Sequence, residues 1–151
     1  MQLYILRHGD AERIASSDRE RQLTDRGKQQ VHAVVQRHQQ EIAKVTSIFV
    51  SPFRRAQETA AIVSQHFPTV PLHTAEMLTP DHSPMDVVRF LCQQPESAKI
   101  LLVSHQPLVS ELVSELCNQV PAAVGMHTAA LAGILLNPVA IGMGKLQFLD
   151  S

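Results

Sequence analysis

Short apolar runs alternate along the chain with longer stretches whose apolar positions recur at helical spacing. Leu3–Leu6, Ser47–Val50 and Ile100–Val103 are aliphatic or β-branched, and each ends in polar or turn-forming residues. Continuous runs of this kind suit strands buried on both faces of a parallel sheet. Ala129–Leu136 and Lys145–Leu149 read as two further strands, joined through Asn137-Pro138, Gly142 and Gly144. Between the runs, Thr24 is placed to N-cap a helix starting at Asp25, with Val31, Val34 and Val35 in its buried stripe. A second helix follows Ser51-Pro52 and extends to about His66, with Ala56, Thr59, Ala60 and Val63 along one face. Ser83-Pro84 has the form of an N-cap followed by proline at the first helical position, opening a helix through Leu91. Gln106-Pro107 similarly opens one through Leu116. Alternating strands and helices predict a layered α/β fold around a mostly parallel sheet.

Composition narrows this picture. A chain of 151 residues, 44% hydrophobic and 18% charged, suits a single domain over residues 1–151 and is neither disordered nor fibrous. The balance of 13 Lys+Arg against 14 Asp+Glu gives no bulk reason to expect a nucleic-acid partner. The charge is unevenly spread, however: residues 1–60 hold 10 basic and 7 acidic side chains, and the remainder 3 and 7. Cys92 and Cys117 stand among apolar residues on predicted helices without CxxC spacing, and read as reduced, buried thiols. Arg7 and His8 arrive too early for a signal-peptide core, and no apolar run reaches membrane-spanning length. A soluble cytoplasmic protein with no membrane partner is the expectation.

The candidate chemistry sits where the strands end. The first run leads into Arg7-His8-Gly9, the second into Ser51-Pro52-Phe53-Arg54-Arg55-Ala56, and the third into Ser104-His105. In open α/β sheets, ligands collect at the carboxyl ends of strands. Two histidines and at least two arginines are therefore delivered to one edge, a set suited to phosphoryl transfer. A neutral imidazole can attack phosphorus and split one displacement into two. Guanidinium groups can grip the phosphoryl oxygens bidentately at any working pH. Gly9 is expected to leave room where the backbone turns past the bound anion.

With Leu23-Thr24-Asp25-Arg26-Gly27 and the Ser51-to-Thr59 segment added, the chain resembles the histidine phosphatase superfamily, also called phosphoglycerate-mutase-like. More narrowly, Arg7 to Ala11 and Ser51 to Ala56 resemble the opening and second-strand signatures of SixA-type phosphohistidine phosphatases. The resemblance implies a three-layer sandwich with a mostly parallel central sheet, in a minimal version without lid insertions. It implies His8 as the phosphorylated nucleophile, Arg7 and Arg55 as phosphoryl clamps, and His105 as a further donor. Gly9, Asp18, Arg21 and Ser51 are the implied substrate-binding residues. The implied activity is hydrolysis of a P–N bond on a phosphohistidine-bearing partner protein, a phosphotransfer domain or phosphocarrier. No cofactor and no metal are implied.

Glu76 lies where larger relatives carry a general acid, but its Leu78-Thr79-Pro80 context fits the branch lacking that acid, so a surface carboxylate is the favoured reading. His32, His38, His66, His73, His82 and His127 show no metal-ligand spacing, and of these only His127 precedes a strand from which it could return to the site edge. No Gly-rich nucleotide loop is present. Two rival functions keep the fold: a small-molecule phosphomonoesterase, and a catalytically silent phosphoprotein-binding module.

Overall fold

The computed structural model describes residues 1–151. Along the chain come β1 (Gln2–Arg7), α1 (Asp25–Arg37), α2 (Gln39–Ile42), β2 (Ser47–Val50), α3 (Arg54–His66), β3 (Leu72–Thr74), α4 (Pro84–Cys92), β4 (Lys99–Ser104), α5 (Leu108–Cys117), β5 (Leu131–Leu136) and β6 (Gly144–Asp150). They form one six-stranded sheet in the order β3-β2-β4-β1-β5-β6. The β1–β4, β2–β4 and β2–β3 pairs are parallel, whereas β5 lies antiparallel to both β1 and β6. The three strands that carry the candidate chemistry thus adjoin one another and point the same way.

Period-two alternation divides their side chains between two cores. Leu3, Ile5, Ile100 and Leu102 pack with α4 and α5 residues such as Val87, Leu91, Leu112 and Val113. Leu6, Leu101, Val103, Ile48 and Val50 pack on the other face with Val31, Val34, Ala60 and Val63 of α1 and α3. Burial on both faces explains why these strands read as unbroken apolar runs.

Local signals set the helix starts. Thr24 caps α1, its hydroxyl accepting from Gly27 N, and Ser83 and Asp86 form a reciprocal capping box at α4 with Pro84 in the first turn. Two elements had no expectation in the sequence. β3 is exposed at Leu72, His73 and Thr74, so it lacks the apolar run that announces a buried strand, and α2 is a single turn. The two thiols also differ: Cys117 is buried as expected, but Cys92 is exposed, because it follows Leu91 on the outer side of α4. No helix is long and apolar enough to cross a membrane.

Candidate active site

β1 ends at Arg7 and β4 at Ser104, directly paired in the sheet, so His8 and His105 emerge side by side. Their rings lie 5.1 Å apart between centroids, and the side chains are buried to 6% and 1% exposure. Arg55 enters from the first turn of α3, beyond the end of β2, and is only 4% exposed.

The hydrogen bonds define the state of the His8 ring. Its Nδ1 lies 2.7 Å from the carbonyl oxygen of Gly9, which can only accept, so Nδ1 carries the proton. Its Nε2 receives the Arg55 Nε–H at 3.1 Å, which requires a lone pair there. Burial pushes the His8 pKa from 6.5 down to about 4, with Arg55, Arg7 and Arg21 adding to the effect and the Gly9 hydrogen bond opposing it. At neutral pH the ring is therefore an uncharged imidazole with Nε2 available as a nucleophile.

His105 is held differently. Its Nε2 is 2.6 Å from the Ser51 hydroxyl, and Nδ1 is buried with no partner. Burial again dominates its pKa, pushed down to about 2, with His8, Arg55 and Arg7 lowering it further and Asp18 opposing. Arg7 donates through Nη1 to the carbonyl of Met126 at 2.9 Å, and its Nε is also buried without a partner. Buried polar atoms are nearly always paired in folded proteins. Of the four such side-chain atoms left unpaired in this chain, the two nitrogens belong to this site and the other two are serine hydroxyls elsewhere. With the Arg55 guanidinium beside them, these unspent nitrogens of Arg7 and His105 are the donor types that bind an oxyanion.

The mouth is formed by the connection from β1 to α1. Asp18 and Arg21 both lie on it. Arg55 Nη1 donates to the Asp18 carbonyl at 2.7 Å, and Nη2 reaches Asp18 Oδ2 at 3.3 Å. Arg21 Nη1 donates to Asp18 Oδ1 at 2.9 Å. Burial alone would raise the Asp18 pKa, but its hydrogen bonds and ion pairs with Arg21 and Arg55 outweigh that and hold the carboxyl below its usual range.

Two expected substrate contacts have a different physical basis. A Cβ on Gly9 would meet the Gly27 carbonyl oxygen at 2.5 Å, and one on Gly27 would meet the Asp10 carbonyl oxygen at 2.0 Å. Gly9 is thus required by the close approach of α1, whatever its contact with an anion. Ser51 is fully buried, and its hydroxyl meets His105 and the Phe53 amide, so it orients the second histidine instead of facing the groove. Glu76 is exposed in a single 3-10 turn and makes no hydrogen bond or ion pair with the site, in line with a surface carboxylate. His127 is exposed too; it is the preceding carbonyl, on Met126, that reaches Arg7.

Sequence reasoning missed two supporting residues. Thr59, taken for a member of the apolar stripe, is fully buried; its hydroxyl receives Gly9 N–H at 3.2 Å and donates to the Arg55 carbonyl at 2.8 Å. Phe53 stands edge-on to His105, 5.2 Å between centroids, and lies 5.3 Å from the Arg55 guanidinium carbon. Its place in the Ser-Pro-Phe-x-Arg-Ala segment was the available signal.

Comparison with known proteins agrees with this geometry. The family model described as "Histidine phosphatase superfamily (branch 1)" matches residues 3–79, which span Arg7, His8 and Arg55. The chain is 38% identical over 147 residues to a protein of Haemophilus influenzae named "Phosphohistidine phosphatase SixA homolog", with 89% of this chain and 88% of the relative covered. It is 31% identical over 144 residues to "Phosphohistidine phosphatase SixA" of Escherichia coli, covering 91% and 86%. A solved structure of the protein histidine phosphatase SixA complexed with tungstate superposes with a TM-score of 0.89 at 31% identity, covering 100% of this chain and 97% of that one. The chain belongs to the histidine phosphatase superfamily.

Proposed function

We propose that this protein is a phosphohistidine phosphatase that hydrolyses the P–N bond of a phosphorylated histidine on a partner protein. The observation that carries the reading is the pair of fixed ring nitrogens of His8: Nδ1–H on the Gly9 carbonyl, and a lone pair on Nε2 facing Arg55. The arriving phosphoryl group takes over donors of Arg55 that now serve His8 and Asp18, which frees the lone pair for in-line attack. Arg7, Arg55 and the His105 Nδ1 then hold the phosphoryl oxygens as charge shifts onto them. The substrate imidazole departs with the electrons of its P–N bond, leaving phosphorus on His8 Nε2. Water hydrolyses this intermediate, and the His8 ring leaves as a neutral imidazole because Nδ1 keeps its proton on Gly9.

The absence of any contact between Glu76 and the site supports a P–N over a P–O bond. An alkoxide needs a proton as it leaves, whereas a ring already protonated on its second nitrogen does not. The relatives that share 31–38% of this sequence carry the name phosphohistidine phosphatase, which supports the same choice. A cytoplasmic setting, where phosphorelay and phosphocarrier proteins operate, agrees with two unpaired cysteines.

The test is to present a phosphohistidine protein and a panel of phosphate monoesters, and to trap protein-bound phosphate during turnover. Acid-labile, base-stable label on His8, with the phosphohistidine protein as the better substrate, is the expected result. Label on His105, or a sugar phosphate turned over with comparable efficiency, would overturn the reading.

A further inference from the structure

We propose that Asp18 is the group that recognises the leaving imidazole, accepting a hydrogen bond from the ring nitrogen of the substrate histidine that does not carry phosphorus. This rests on the phosphohistidine reading above and assigns a residue to its specificity.

The chemical demand is defined by His8 itself. Phosphorylated imidazole is a good leaving group only while its second nitrogen keeps a proton: cleavage then gives neutral imidazole, and otherwise an imidazolate. For His8 the Gly9 carbonyl holds that proton at 2.7 Å. The substrate histidine enters on the opposite side of phosphorus, towards the mouth, and meets the same demand there.

Of the carboxylates paired near the site, one is tied to the nucleophile's own guanidinium. Asp10 is bonded to Thr24, Glu12 to Gln22, and Glu58 to the Leu23 amide and Arg54. Glu76 makes no contact with the site. Asp18 alone among them binds a guanidinium that also binds the nucleophile: Arg55 reaches His8 Nε2 with Nε and Asp18 Oδ2 with Nη2. Its side chain is 57% exposed, so a group arriving from solvent can reach it beside Arg55. The contact to Arg55, at 3.3 Å, is the longer of its two ion pairs, and that to Arg21 is 2.9 Å. A phosphoryl oxygen taking the Arg55 donor releases Oδ2, while Arg21 keeps Oδ1 in place. The carboxylate, still facing Arg21, Arg55 and beyond them His8 and His105, then accepts the substrate ring N–H. No proton changes hands: the P–N bond breaks, its electrons go to the ring nitrogen, the bond to His8 Nε2 forms, and the second ring proton stays where it was, stabilised by Asp18.

The experiment compares phosphoimidazole, which needs its ring proton, with p-nitrophenyl phosphate, whose leaving group needs none. Asp18→Asn keeps the backbone carbonyl that binds Arg55 and removes the charge. A charge-assisted hydrogen bond predicts a loss of about 10–100-fold in the phosphoimidazole to p-nitrophenyl phosphate ratio of kcat/KM. The alkaline limb of the phosphoimidazole profile should also move to lower pH, and Asp18→Glu should restore part of both. Equal losses on the two substrates with an unmoved alkaline limb would overturn the assignment, reducing Asp18 to a support for Arg55. Wild-type protein that fails to turn over phosphoimidazole and phosphohistidine protein alike would overturn the functional reading, and this one with it.

Discussion

The floor and the mouth of the site both use charged and titratable side chains, under opposite conditions. On the floor, Arg7, His8, Arg55 and His105 are anchored at strand ends or in a first helical turn, and the two histidines and Arg55 are nearly inaccessible. At the mouth, Asp18 and Arg21 lie on a connection without regular structure, with side chains 57% and 29% exposed. Burial sets the ionisation of the floor histidines; the neighbouring arginines add to it, and Asp18 opposes it only at His105. At the mouth the outcome reverses: burial is still the largest single influence on Asp18, but the pairings with Arg21 and Arg55 together outweigh it. A buried group is tuned by where the fold puts it, an exposed one by what it pairs with, and only the latter is screened by salt. The floor is suited to bond making at phosphorus, and the mouth to recognising what carries it.

The largest effects should come from the floor. His8→Ala should reduce turnover to background and leave no acid-labile label on the protein. His105→Ala should instead slow turnover by about 10²–10³-fold, the cost of removing an oxyanion donor, while label still appears on His8. Equal loss of labelling in both variants would erase the distinction between nucleophile and donor.

Next in size is a pH effect that only the buried floor can produce. The folded-state pKa of His8 is depressed from 6.5 to about 4. Above pH 6.5 neither the folded nor the unfolded ring binds a proton. Between 6.5 and 4 the unfolded ring does and the folded one does not, so stability falls as pH falls and levels off below about 4. At pH 5 this amounts to roughly 2 kcal/mol from His8, and His105 acts in the same direction. Denaturant unfolding of wild type and His8→Asn at neutral pH and at pH 5 measures it. The variant should lose less stability on acidification, and a parallel loss in both would show that the His8 ring is not held neutral by the fold.

These contrasts show which parts of the molecule the sequence makes legible. Strands buried on both faces write unbroken apolar runs, and the residues after those runs must lie at one sheet edge, so Arg7, His8, Arg55 and His105 could be read as a set. Thr24 and Ser83 were legible because an N-cap is a local event. β3 was not, because an exposed edge strand has no apolar pattern to show. Cys92 was misplaced because neighbouring apolar residues mark a helix but not which of its sides a given position takes. The causes behind Gly9 and Ser51 were out of reach for another reason: each depends on a residue distant in sequence, Gly27 and His105, and a single chain carries no spacing rule for such contacts.

A smaller effect tests the link between Ser51 and the floor. The Ser51 hydroxyl meets His105 Nε2 at 2.6 Å and accepts from Phe53 N–H at 3.3 Å. Donating its own proton to Nε2 leaves the His105 proton on Nδ1, the nitrogen that has no partner within the protein. Ser51→Ala should lower kcat by about tenfold with KM little changed, since a hydrogen bond that fixes a tautomer is worth about 1 kcal/mol or slightly more. A rise in KM for the protein substrate with kcat intact would return Ser51 to the groove as a binding residue.

The smallest expected effect is the most informative about leaving groups. Glu76 is exposed, and contacts neither His8, His105 nor the two arginines. A carboxylic acid that protonates an alkoxide must lie within hydrogen-bond reach of the leaving oxygen, and such groups contribute about 10²–10⁴-fold. Glu76→Gln should therefore change phosphohistidine turnover by less than about twofold, well below any general-acid contribution. The variant should fold as wild type, since no ion pair or hydrogen bond of Glu76 is lost. Measured beside Asp18→Asn, it separates two carboxylates on the same molecule: one in the position where an acid would serve P–O cleavage, the other bound to the guanidinium that holds the nucleophile. A large loss in Glu76→Gln, confined to phosphate esters, would reverse the comparison and favour the phosphomonoesterase alternative.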